Sequence, residues 1–500
     1  MRLTWAQPED LVAHELVALR EQGADESALA AAADRWQAGG GSVLPERAGA
    51  SANPASPQLR ALAREVLAEL AALQPVSAGE PDEWSAIAAL LPAKSRPATA
   101  ELTGAASPHL AEIGRVRGAW WGRSVGCLLG KPVEKIPREG IEEIARATGT
   151  WPITGYFTAV GLPEETVARW PWNRRSAPTS LRENINGMPE DDDLNFPLLA
   201  LDLLEVHGAD LTTADVAQSW LANLPAGRVF TAERAAYRNL LEARPVPETA
   251  THQNPFREWI GALIRTDVYG WAHPGNPIAA AELAWRDARL SHTRNGLYGA
   301  MWAAALCSSA LVARSVDEVL DAGESVLPPD SRLAAAVQDG RRIGLALRAG
   351  SVTEAEALDH LHAGYGHLHW VHTLNNAALI ACALAAAGQP PAPAGQPPTP
   401  AGDLSVARTR SGDENVTHRE APPVDFGRGI RLAVAAGWDT DSAGATVGSV
   451  LGALVGQDGI DPAWTAPLHD RLATSLPGAP ERSLTELADR TRALPGRMGR

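Results

Sequence analysis

The chain has 500 residues, 45% of them hydrophobic, and a formal charge of −15. That length and apolar content suffice for a large core. The acidic balance, with no Lys/Arg cluster, excludes a surface built to neutralise nucleic-acid phosphates. Three scattered cysteines (Cys127, Cys307 and Cys382) form no metal-ligand spacing, the N-terminus lacks the apolar stretch of a secretory signal, and no run of about 18 apolar residues could span a membrane. A cytoplasmic chain is expected.

Residues 1–105 read as a helical N-terminal extension with linkers. Behind Pro8-Glu9-Asp10, the apolar positions Leu11, Val12, Leu16, Val17 and Leu19 recur at helical spacing. A Gly/Ser/Ala/Pro linker runs from Gly39 to Pro57, and a second helix covers Leu59–Leu73. The rest divides into a main domain over 106–485 and a C-terminal tail over 486–500.

The main domain opens on Gly118, Gly122, Gly126 and Gly130, a glycine every fourth residue in an apolar stretch. Each costs a helix about 1 kcal/mol, a cost offset where a second helix approaches closely. Glu134 follows at the exit of this buried helix, an odd place for a solvated charge. Between Thr148 and Met188 the chain is rich in Arg, Pro and aromatics without periodicity. It reads as a loop over a site or as a surface elaboration.

Helical patterns then follow over Leu194–Val206, Thr213–Asn223, Thr231–Glu242, Pro255–Arg265, Pro277–Asp287, Gly296–Ala313, Val316–Leu327, Ser331–Ala349, Asn375–Ala387, Phe426–Ala436 and Ala443–Val455. Alternating β-branched runs are nearly absent, so the fold class is all-α. A Pro-rich stretch over 389–424 cannot bury enough apolar surface to offset its ordering entropy, and reads as a mobile insertion between two helices of one domain.

Four acids, Glu190 to Asp193, open one apolar helix, and Asp439-Thr440-Asp441-Ser442 opens another built of small residues. Capping explains one or two acids at a helix start, not four. Two carboxylates about 4 Å apart repel by roughly 4 kcal/mol at an effective dielectric of about 20. A fold that joins the clusters therefore needs divalent cations between them. Asp439, Asp441 and Ser442 offer hard oxygens of the kind Mg²⁺ or Mn²⁺ prefers. Polar clusters at helix ends are candidates to line a pocket: Gly275 with Asn276, His292 with Asn295, and Trp370 with His372 and Asn375. Stacking on a base suits Trp370 or Trp438.

The acid run, the late Gly-x-Asp-Thr-Asp-Ser, the Gly-rich helix ending Gly-Lys-Pro-Val-Glu and the Ala-rich helix running into Ser291-His292 together resemble the ADP-ribosylglycohydrolase family, in its dinitrogenase reductase-activating glycohydrolase-like form. The resemblance covers roughly 113–456 apart from the insertion. It implies an all-α orthogonal helical bundle around a central dinuclear site holding two Mg²⁺ (or Mn²⁺). The implied reaction is hydrolysis of the C1″ glycosidic bond of an ADP-ribosyl group on a protein side chain or small molecule. Another ribosyl or nucleoside-derived glycoside is the alternative substrate. An inactive ADP-ribose-binding or structural member is the alternative role. Carried over by position, Asp191, Asp192, Asp193, Asp439, Asp441 and Ser442 bind metal, with Glu190 the alternative to Asp191. Glu134 handles the proton, with Asp192 the chief alternative. Two departures mark a divergent branch: Asp191-Asp192-Asp193-Leu194 stands where the family has Ser/Thr-Asp-Asp-Thr, and Cys127 replaces the acid of Gly-Asp-Ala-Leu-Gly.

Overall fold

The helical periodicity is realised almost throughout. The computed structural model describes residues 3–46, 49–73, 79–92, 112–389 and 424–498. Within them the regular structure is helical apart from one antiparallel hairpin, which pairs Arg471–Ala473 with Glu481–Ser483. The helices that matter most here are α1 (Pro8–Glu21), α2 (Ile113–Gly130), α3 (Asp192–His207), α4 (Arg294–Ala310), α5 (Arg332–Arg348), α6 (Thr373–Ala387) and α7 (Thr440–Val455). Every residue of α4 and of α6 is buried, as expected for helices that are apolar all round.

The glycine spacing of α2 has a partner of the same kind in α7. A Cβ added at Gly118, Gly122 or Gly126 would lie 2.1, 2.1 or 1.9 Å from the carbonyl oxygens of Gly452, Gly448 and Gly444 respectively. The two helices therefore pack backbone on backbone, antiparallel, with side chains excluded from the seam. One turn further on, the Thr440 hydroxyl donates to the Gly130 carbonyl at 2.9 Å. This register brings the exit of α2, where Glu134 sits, beside the start of α7, where the second acidic cluster sits.

The segment expected as a helix over Pro255–Arg265 is a 3₁₀ turn over Ile260–Arg265. The reason is a long-range pairing: Trp259 bridges His372 antiparallel, and the Ile260 N–H donates to the Val371 carbonyl at 2.9 Å. Helices over Glu26–Ala38, Arg138–Ala147 and Glu354–Tyr365 add to those expected. Where a tail was expected, Leu484–Ala493 is a helix whose Thr491 hydroxyl accepts from Trp120 Nε1 of α2 at 3.0 Å. The ends of the Pro-rich insertion meet, since Gly388 bridges Val424 and the Asp425 N–H donates to the Ala387 carbonyl at 2.8 Å. Residues 390–423 and the expected boundary at 105/106 lie outside the described residues. No helix among the described residues is long and apolar enough to cross a membrane.

The N-terminal extension shares the core, which runs from Trp5 and Leu11 through to Leu494. It is docked by ion pairs on buried carboxylates. Arg257 Nη1 lies 3.0 Å from Glu15 of α1, with the two side chains 2% and 4% exposed. Arg332, at the start of α5, bridges Glu80 at 2.9 Å and Glu258 at 2.8 Å.

Candidate metal centre

Asp191 caps α3. Its backbone is extended and its Oδ1 accepts the Asp193 N–H at 2.9 Å, which holds Asp192 and Asp193 in the first helical turn. Asp439 precedes α7 in the same position, with Asp441 and Ser442 in that helix's first turn. The two starts meet. The Ser442 hydroxyl donates to Asp193 Oδ2 at 3.3 Å, across 249 positions of sequence.

Both clusters open into one cavity of about 910 Å³. Glu134, Asp191, Asp192, Asp193, Asp439, Asp441 and Ser442 line it, and most of these side chains are buried. Exposed Lys135, Arg174, Arg175 and Arg228 also line it, along with Phe230, Trp259 and Trp370. The cavity thus has an acidic floor and a basic, aromatic rim. Both Glu134 oxygens are held: Oε2 accepts from Asn173 Nδ2 at 2.5 Å, and Oε1 lies 3.1 Å from Lys135 Nζ.

Two buried cations touch the floor. Lys131 Nζ pairs with the Asp191 carboxylate and donates to the Glu190 carbonyl at 3.2 Å. Burial pushes Asp191 up, but the Lys131 ammonium outweighs it and holds the carboxyl below its usual range. Burial likewise opposes the Lys131 charge, and Asp191 keeps it protonated. Arg123 Nη1 lies 3.0 Å from Asp267, while its Nε donates to the Asp193 carbonyl at 2.8 Å. The remaining acids stay poorly compensated. Burial first, and neighbouring carboxylates second, push Asp192, Asp193 and Asp439 well above the ordinary aspartate value. Asp441 is pushed up to about 7 by burial, Glu134 and Asp191.

This arrangement fits hard divalent cations. Buried like charges are costly unless paired, and the crowded carboxylate and hydroxyl oxygens are the donors such ions take. Ligand atoms of Cys127, Asp191 and Asp193 lie within 4.8 Å of one another. Burial pushes the Cys127 thiol well up, and its Sγ lies 3.8 Å from Asp193 Oδ2 as a donor.

Of the expected pocket residues, Trp370 lines the cavity. The other seven do not line it, and two of them, Asn276 and His372, are taken up as helix caps. Exposed Asn276 caps the helix Pro277–Ala288 by accepting the Ala279 N–H at 3.2 Å, and Gly275 before it turns the chain at φ +73°. His372 caps α6 through its Nδ1, 3.1 Å from the Leu374 N–H. Asn375 donates to the His369 carbonyl at 3.0 Å, and Asn295 to Glu258 at 2.8 Å. Buried His292 bonds Ser291 at 2.8 Å, with its Nε2 3.9 Å from Glu233, itself a lining residue. Trp438 stacks on His362 at 4.5 Å.

Sequence reasoning passed over Lys131, Arg123 and Asn173, and took Asn376, the end of the Trp370–Asn376 cluster, for a pocket residue. The last ties the rim to the floor: its Oδ1 accepts the Asp439 N–H at 3.3 Å and its Nδ2 donates to the Trp370 carbonyl at 2.9 Å. A signal for Lys131 was present. Only three lysines occur in the chain, and two of them, Lys131 and Lys135, bracket Glu134.

The model of the ADP-ribosylglycohydrolase family matches residues 108–498. Among solved structures, the chain is similar to one described as an "ADP-ribosylglycohydrolase-related protein complex", at 20% identity over 77% of this chain and 98% of that one, with a TM-score of 0.45. That likeness is too loose to carry argument. No curated protein matches. The acids that converge on this cavity all lie inside the matched region, and the chain belongs to the ADP-ribosylglycohydrolase family, whose members hydrolyse glycosidic bonds.

Proposed function

We propose that the protein is a cytoplasmic Mg²⁺- (or Mn²⁺-) dependent glycohydrolase that cleaves the C1″ bond of an ADP-ribosyl group attached to a protein side chain or small molecule. The observation that carries this reading is the polarity of the cavity, which joins buried carboxylates to exposed guanidinium groups and to buried or half-buried aromatic rings. A ribose diol directed to the floor sets a pyrophosphate beside Arg174, Arg175 and Arg228 and a base near Trp370. Residues 106–485 form the catalytic domain in this reading, and 1–105 an extension docked on it.

Asp191, Asp192, Asp193, Asp439, Asp441 and Ser442 would hold two cations. When bound, these supply Lewis acidity toward the ribose hydroxyls and the reacting water. The chain's own groups do the rest. As the water oxygen bonds to C1″, the bond to the leaving group breaks and its electron pair departs with that group. Glu134 takes the proton the water loses, and the leaving group takes up one from solvent, to which Glu134 later returns its own. The floor carboxylates stabilise the positive charge that develops at C1″. Asn173 and Lys135, by fixing both Glu134 oxygens, keep it aimed into the cavity. Asp192, partly exposed on the floor, is the alternative proton carrier.

Glu134→Gln tests the assignment. Turnover on a panel of ADP-ribosylated arginine, serine and nucleotides should fall by about 10²–10⁴-fold, with Mg²⁺ binding by calorimetry nearly unchanged. Unchanged turnover removes Glu134 from the chemistry. A wild-type protein inert on the whole panel, with Mg²⁺ or with chelator, favours a binding or structural role instead.

A further inference from the structure

The cavity is not walled by the family-matched region alone. Thr4 and Trp5 line it, yet they lie far outside residues 108–498. Trp5 is 7% exposed, and its ring meets Trp259 at 5.7 Å and Phe256 at 5.4 Å, both close to edge-on. Trp259, also a lining residue, stacks on His369 at 4.1 Å with 9° between planes.

This wall is held in place against local preference. Trp5 has φ +61°, a left-handed conformation that bulky side chains avoid unless their surroundings impose it. The surroundings do so from two directions. The Trp5 N–H donates to the Gly49 carbonyl at 2.6 Å, and Gly49 sits against the indole, where a Cβ would come within 2.2 Å of the ring. From the catalytic side, Arg234 Nη1 donates to the Thr4 carbonyl at 2.7 Å and to its hydroxyl at 2.9 Å. Strain retained at a cavity wall points to use of that wall.

We propose that the Thr4–Trp5 segment is a specificity-determining wall: packed edge-on against Trp259, it closes the subsite that takes the planar heteroaromatic end of the substrate and meets that end with ring edges rather than a free ring face. The inference rests on the reading of the cavity as an ADP-ribosyl site. A subsite of this kind contributes uniform binding, so its loss raises KM and leaves kcat unchanged.

The test compares two probes in Mg²⁺ by calorimetry, ADP-ribose and ribose 5-phosphate, which lacks the base. Trp5→Leu stays apolar but removes the ring; ADP-ribose affinity should drop up to about tenfold, ribose 5-phosphate affinity should hold, and Trp5→Phe should recover most of the loss. Melting curves check folding. If Trp5→Leu does not fold, Arg234→Gln, which unties Thr4, should give the same split between probes. Equal loss for both probes makes the wall merely structural, and no loss for either also overturns the proposal. Wild-type protein that binds neither probe overturns the ADP-ribosyl reading itself, a separate failure.

Discussion

The glycine seam between α2 and α7 and the interface of the N-terminal extension hold the same cavity by opposite means. The seam excludes side chains altogether, so its stability comes from close backbone packing and has no charge to titrate. The extension is docked by Arg257–Glu15 and Arg332–Glu80 ion pairs and by histidines held neutral in the core. The seam must place carboxylates to a fraction of an ångström, and bare backbones have few ways to relax. The extension only has to present a wall. Beyond the apolar core it shares with the rest of the chain, it uses ion pairs whose net stabilisation is small, because desolvation offsets much of the attraction, but which fix one orientation.

The largest effect expected is at the seam. Gly126→Leu would drive a side chain into the Gly444 carbonyl, 1.9 Å from the new Cβ. Backbone on both sides cannot yield, so a loss of about 5 kcal/mol or failure to fold is expected. Gly114, in the same helix, has no atom of the described residues within 4 Å of its Cβ position. Gly114→Ala should stabilise by up to about 1 kcal/mol. Urea denaturation of both variants checks the contrast, and similar losses would mean that the glycines are not a close-contact seam.

Next comes Lys131→Met, at the end of that seam. It strands the buried Asp191 carboxylate, and removing one partner of a buried pair costs about 3–5 kcal/mol. In chelator the melting temperature should fall accordingly, whereas saturating Mg²⁺ should restore much of it by taking over the carboxylate. A deficit of equal size with and without Mg²⁺ would argue that no cation reaches Asp191.

The legibility of the sequence followed the same divide. The four-residue glycine step announced close helix approach, and two acid runs at helix starts announced a shared site, because both are local patterns with one physical cause. Ser442 meeting Asp193 realises that expectation. The His and Asn clusters were harder to read. Asn276 and His372 look alike whether they touch a ligand or cap a helix, and both cap helices. The Trp259–His372 bridge, which turns an expected helix into a 3₁₀ turn, depends on a partner more than 100 residues away and left no local trace. The extension's role as a cavity wall was equally hidden, since nothing around Thr4-Trp5 in sequence points toward Arg234.

A third contrast separates the two regions by pH. Glu21, at the end of α1, is pushed up to about 7 by burial and by Glu258, against the pull of Arg332. Between the unfolded value of about 4.5 and 7 the folded state binds the extra proton, so this group's stabilisation is complete at low pH and is lost as pH rises through that window. His14 and His372 are lowered to about 4 by burial. Their contribution has the opposite sign: the unfolded state takes the proton first, and stability falls as pH drops from about 6.5 to 4. Glu21→Gln removes only the first term. The stability difference between variant and wild type should therefore grow with pH at about 1.4 kcal/mol per unit between 4.5 and 7, and level off above that. Urea titrations across that range measure it. A flat difference would mean that Glu21 is ionised in the folded protein, and that the extension meets its body as tightly paired charge, not as a mixture of pairs and neutral groups.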